Sequence, residues 1–184
     1  MLMLVCVGWA GGANSLVAAE NDSSSSPALE YKIKAGYLFN FATFVEWPVR
    51  TNNVTTNFVM VIADDGKIFP LMSAFLAGKS VQGKSVEARS LKAGEDLKQC
   101  DLLFVARSQE KRVDELLKRV GKAPVLTVGE MDGFATRGGC INFTAKGDVI
   151  RFEVNLETAA HAGLKISSKI AAMATVVHSP GGAK

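Results

Sequence analysis

Residues 78–85, Gly-Lys-Ser-Val-Gln-Gly-Lys-Ser, satisfy the phosphate-loop pattern G-x-x-x-x-G-K-[ST] letter for letter. In such a loop backbone N–H groups cradle the phosphates, Lys84 would reach the terminal phosphate, and Ser85 would hold magnesium. An acidic strand end is also present, because Phe58 to Ile62 leads into Asp64. The context argues against the chemistry. A phosphate loop follows a strand and opens a helix, whereas this stretch follows a helical segment and runs into β-like Val-Glu-Ala-Arg-Ser-Leu. A polar turn between helix and strand is the expected role.

Other chemistry finds less support. No G-x-S-x-G elbow occurs, so a serine nucleophile has no frame. His161 ends a short alanine-rich helix and is expected to be satisfied or solvent-facing, and His178 lies near a tail expected to be mobile. Glu130 and Asp132 sit together in a loop, where acids are usually solvated. Cys100 and Cys140, with two histidines in the chain, are too few for a spaced-pair metal cluster. One disulfide between them is open in an oxidising compartment, and sequence alone cannot place them within bridging distance. No catalytic residue, metal or cofactor is assigned.

The elements that must position any site begin behind a leader. Residues 1–19 carry no charged side chain and end in Val17-Ala18-Ala19, which suits a cleaved signal peptide, although the usual basic opening is absent. Cys6 would leave with it. Residues 20–26 read as a disordered, serine-rich linker, residues 27–178 as one domain, and residues 179–184 as a flexible tail. The formal charge of +3 is too mild and dispersed to argue for nucleic acid. No later segment is long and apolar enough to span a membrane.

Ser26 and Pro27 open a helix whose apolar positions, Leu29, Ile33, Leu38, Phe41 and Phe44, carry it to Trp47-Pro48. Strands are expected at 57–63, 85–91, 101–106 and 124–128, each separated by a helix or a turn. Asp64 or Asp65 caps a helix over 68–77, and Ser108 caps one over 109–120 that stops at Gly121. Residues 140–144 and 149–154 flank a hairpin turn at Lys146-Gly147-Asp148. Asn155 caps a helix to His161, and Ser167 or Ser168 caps a last one to Val177. This alternation predicts an α/β fold, a three-layer α/β/α sandwich with a mostly parallel sheet and a C-terminal antiparallel hairpin. The aromatic helix, with Phe39 and Phe41 on different sides, is either buried between layers or turns one side to a partner.

Three blocks carry a family resemblance. They are Tyr37 to Pro48, Leu126 to Glu130 leading through Phe134 to Gly138-Gly139, and Phe152 to Asn155 followed by Ala159 and Gly163 to Ser168. In order and spacing the chain resembles the YfiR-like family of exported bacterial proteins, over about residues 29–176. The resemblance implies a periplasmic α/β/α domain without enzymatic activity. In the best-known member it represses an inner-membrane diguanylate cyclase through that enzyme's periplasmic sensor domain, and an outer-membrane lipoprotein removes the inhibitor. Members can form homodimers. The family's pattern of four cysteines in two bridges is not met, so redox control by two bridges is not implied.

The expected function is therefore a periplasmic regulator. It would bind the periplasmic domain of an inner-membrane diguanylate cyclase or sensor kinase, lowering cyclic di-GMP and biofilm formation. The candidate contact residues are Phe134, Glu157, Leu164 and Ile166. The alternative is a periplasmic small-molecule sensor using the crevice at the carboxyl ends of the parallel strands, with Gly129 and Gly138-Gly139 beside it.

Overall fold

The computed structural model describes residues 27–48, 56–146 and 149–180. The leader, the linker, the turn residues 147–148 and residues 181–184 lie outside the described residues.

Helix α1 (Pro27–Phe44) leads into a short strand β1 (Val45–Glu46). Strand β2 (Asn57–Ala63) is followed by α2 (Phe69–Leu76), β3 (Ser80–Val81) and β4 (Lys84–Ser90). After β5 (Leu102–Val105) a 3-10 segment, Arg107–Arg112, precedes α3 (Val113–Val120) and β6 (Leu126–Gly129). The chain ends with β7 (Ile141–Lys146), β8 (Val149–Val154), α4 (Leu156–His161), β9 (Lys165–Ile166), α5 (Ser168–Met173) and β10 (Thr175–Val176).

Eight strands form one sheet in the order β10-β8-β7-β6-β5-β2-β4-β3. Strands β4, β2, β5, β6 and β7 run parallel, and β7 and β8 form the expected antiparallel pair. Side chains alternate along the central strands. Phe58, Met60 and Ile62 enter one apolar cluster with α1, α2 and α5, while Val59, Val61 and Ala63 enter a second with α3. This is the three-layer sandwich: both faces of the sheet are covered at its centre, so β2 beyond Asn57 and all of β5 are apolar, whereas β4 nearer the edge carries Lys84, Glu87 and Arg89.

The sequence expectations differ from the structure in four places. First, α1 stops at Phe44 rather than at Pro48. Ser167 N donates to Phe44 O at 3.2 Å and Gln82 Nε2 donates to Val45 O at 3.1 Å, so tertiary partners take the carbonyls a longer helix would have used. Second, residues 107–112 form a 3-10 segment without a side-chain cap, and its first N–H, that of Arg107, donates to Glu130 Oε1.

Third, the phosphate-loop lookalike is a β-hairpin. Val81 pairs with Lys84 across Gln82-Gly83, whose φ angles of 50° and 79° suit a primed two-residue turn. Lys84 and Ser85 therefore lie in strand β4 and open no helix. Fourth, the last helix ends at Met173, and Thr175–Val176 return as an edge strand beside β8.

The expected caps at Asp64 and Asn155 form: Asp64 Oδ2 accepts from Ile68 N and Phe69 N, and Asn155 Oδ1 from Thr158 N.

A buried ion cluster at the carboxyl ends of the strands

Strands β5 and β6 end side by side, delivering Arg107 and Glu130 to the same edge of the sheet. Register makes a wall there. Gly129 pairs with Asn142, so residues 143–146 of β7 continue past the end of β6, carrying β8 with them. The first turns of α1 close the opposite side with Glu30, Tyr31 and Lys34.

Lys34 falls on the buried stripe of α1 with Leu38 and Phe41, and is 7% exposed. Its ammonium lies 2.5 Å from Glu130 Oε2 and 2.5 Å from Glu30 Oε1. Glu130, 3% exposed, accepts three hydrogen bonds, two at Oε1 and one at Oε2. Tyr31 OH donates to Oε1 at 3.0 Å, Arg107 N donates to Oε1 at 2.9 Å, and Lys34 donates to Oε2. The Arg107 guanidinium donates through Nη2 to the Glu130 carbonyl at 2.8 Å. Burial first, then the Glu130 charge, pushes the Tyr31 phenol well above its ordinary range, so it stays a donor. The ring faces of Tyr31 and Phe143 flank the ammonium at 4.9 and 5.9 Å.

Above the cluster lies a cavity of about 230 Å³, with Phe143, Ala145 and Ile150 as its apolar wall. Deeper in, Phe41 and Tyr37 of α1 pack with Phe143 and Phe152 at centroid distances of 5.0 to 5.9 Å. The aromatic side of the helix is thus largely core. Phe44 keeps an exposed edge beneath Lys169.

Sequence reasoning placed Glu130 in solvent, and that expectation is overturned. A carboxylate following a buried strand, and a lysine on a helix's apolar stripe, each need an opposite charge. That requirement is the signal that could have joined them. The crevice glycines are also reassigned. A Cβ at Gly129 would lie 2.4 Å from the Phe134 ring, and one at Gly139 2.2 Å from it. Gly129 and Gly139 thus make room for a core side chain. Phe134 itself is 0% exposed, and Leu164 is buried, so neither presents a surface to a partner here. Glu157 and Ile166 are half-buried. Cys100 and Cys140 are both buried, sit in separate core clusters and are not bonded to each other. Burial also pushes the Cys140 thiol up. His161 is exposed, as its position implied.

Fold and site together define an open, doubly wound α/β/α domain whose charged groups converge at the carboxyl ends of adjacent parallel strands. The chain belongs to the YfiR/HmsC-like family (DUF4154), which matches residues 31–175. No curated protein is significantly similar to it in sequence. Among solved structures it is similar to a conserved domain protein from Vibrio cholerae O1 biovar El Tor, at TM-score 0.55 and 12% identity. That match covers 79% of this chain and 59% of the other. A second is the ABC domain from Streptococcus pneumoniae, solved in complex with L-Trp, at TM-score 0.49 and 10% identity, covering 66% of this chain and 55% of the other. At 12% identity the Vibrio likeness is one of fold. Among the described residues no helix is long and apolar enough to cross a membrane.

Proposed function

We propose that this protein is an exported periplasmic regulator that binds the sensor domain of an inner-membrane signalling protein. It represses a diguanylate cyclase, and so lowers cyclic di-GMP and biofilm formation. The observation that carries the reading is the family match over residues 31–175, since YfiR-like proteins are periplasmic regulators rather than enzymes. Repression by contact requires that the regulator bind one state of the sensor domain more tightly than the other.

The contact face we assign is the C-terminal edge of the sandwich. Glu157 and Ile166 retain surface there, with Phe134 and Leu164 as core support beneath. Apolar surface in the same part of the chain comes from Leu156, from Met173 (61% exposed) and from Val176 on the edge strand. A homodimer, a sensor kinase in place of the cyclase, and an outer-membrane lipoprotein that removes the regulator all belong to the same reading.

Deleting the gene in its own bacterium and measuring cyclic di-GMP tests this. A rise that the intact gene reverses, and that a Met173→Glu gene fails to reverse while its product accumulates normally, is the expected result. An unchanged cyclic di-GMP level overturns the repressor reading.

A further inference from the structure

The cavity above the ion cluster has a chemistry that the protein's own contacts leave unfinished. Glu130 accepts from Tyr31, Lys34 and Arg107, so most of its carboxylate is spent on ordering the site. Arg107 spends one guanidinium nitrogen on the Glu130 carbonyl. Its Nε and Nη1 have no hydrogen-bond partner among the described residues, and the residue is exposed at the cavity mouth. Lys34 spends two N–H groups on Glu30 and Glu130, and the Glu30 side chain is 43% exposed. At the mouth Arg107 is the cationic, donating group with N–H groups to spare, and Glu30 is the anionic group held by Lys34. The far wall, Phe143 with Ala145 and Ile150, is apolar.

We infer that this cavity binds a small monocarboxylate with a compact apolar body. Its carboxylate meets the Arg107 edge that joins the second N–H of Nη2 to Nε or Nη1, in a forked pair, and its body lies against Phe143 and Ile150. A guanidinium edge matches a planar carboxylate with two parallel hydrogen bonds. Doubly charged anions are disfavoured because Glu30 and Glu130 flank the same space. At about 230 Å³ the cavity is smaller than a drug-sized pocket, which limits the ligand to roughly one ring or a short branched chain. The inference is independent of the proposed membrane partner and concerns the opposite end of β8 from the face assigned to it.

The test is calorimetric titration of the purified protein with phenylacetate and with its neutral isostere, phenylacetamide. Saturable phenylacetate binding, with phenylacetamide at least ~10-fold weaker, is expected. Arg107→Gln should weaken phenylacetate at least ~10-fold, and Ala145→Leu, which fills the cavity without touching a charge, should do the same. Thermal melts without ligand check that each variant is folded. Absence of saturable phenylacetate binding below about 10 mM, equal binding of acid and amide, or undiminished binding in the folded variants overturns the inference. So does inorganic phosphate binding at Arg107 in place of phenylacetate.

Discussion

Lys34 of the first helix and Glu130 at the end of β6 lie 96 residues apart in sequence and 2.5 Å apart in space, both almost wholly buried. A buried pair is costly to desolvate, and far more costly to break on one side than to replace on both.

Lys34→Met strands a buried carboxylate and should lower the unfolding free energy by about 3–5 kcal/mol. Glu130→Gln keeps acceptors for Tyr31 and Arg107 but leaves Lys34 with Glu30 alone. The double variant should be less destabilised than the sum of the singles by about 1 kcal/mol or more. Urea denaturation of the four proteins completes the cycle; strict additivity would mean that the pair is not coupled.

Tyr31 carries the pH dependence. Its folded-state pKa is raised above the ordinary value of 10.0, chiefly by burial and then by Glu130. Its contribution to stability is therefore fully present below pH 10 and lost progressively as the pH rises beyond it. Melting temperature should fall more steeply above pH 10 in the native protein than in Tyr31→Phe, which has no phenol to ionise. Parallel curves would remove Tyr31 from the alkaline transition.

Gly129 and Phe134 form a close pair of another kind. Gly129→Ala places a methyl 2.4 Å from the Phe134 ring, so the ring or the strand must move. The expected cost is about 1–3 kcal/mol of overpacking. Introduced into a Phe134→Leu background the same change should cost measurably less, because the obstructing ring is gone. Equal costs in both backgrounds would place the strain elsewhere.

The thiols make a third contrast. Cys100 and Cys140 are buried, and burial keeps Cys140 protonated. The native protein should react slowly with iodoacetamide at both positions, and quickly once unfolded in denaturant. Rapid native labelling of Cys140, read by peptide mass, would show that the core opens there.

Much of the fold was legible because its signals are local. The apolar run Asn57–Ala63 suits a strand covered on both faces, and Asp64 and Asn155 announce the helices they cap. The hairpin of β7 and β8 follows from two β-rich runs around a turn. The ion cluster was not legible, because Glu130 looks like a loop acid until strand order sets it beside Arg107 and under α1. Phe134 and Gly129 looked like candidates for contact or a crevice for the same reason: each is five residues from the other, and a turn closed by Gly139 N on Phe134 O folds the ring back. Edge strand β10 is two residues long, too short to carry a pattern of its own.

That short strand has a consequence for how the chain comes into being. Thr175 and Val176 pair with Glu153 and Val154 at the end of β8, which in turn completes the hairpin over the site. An uncovered edge invites pairing with another chain. Because the chain is made from its N-terminus, α1 exists well before β7 and β8, whose Phe143 and Phe152 pack on its Tyr37 and Phe41. A chain in which β10 has not formed leaves the backbone of Glu153 and Val154 open to pairing with a second copy.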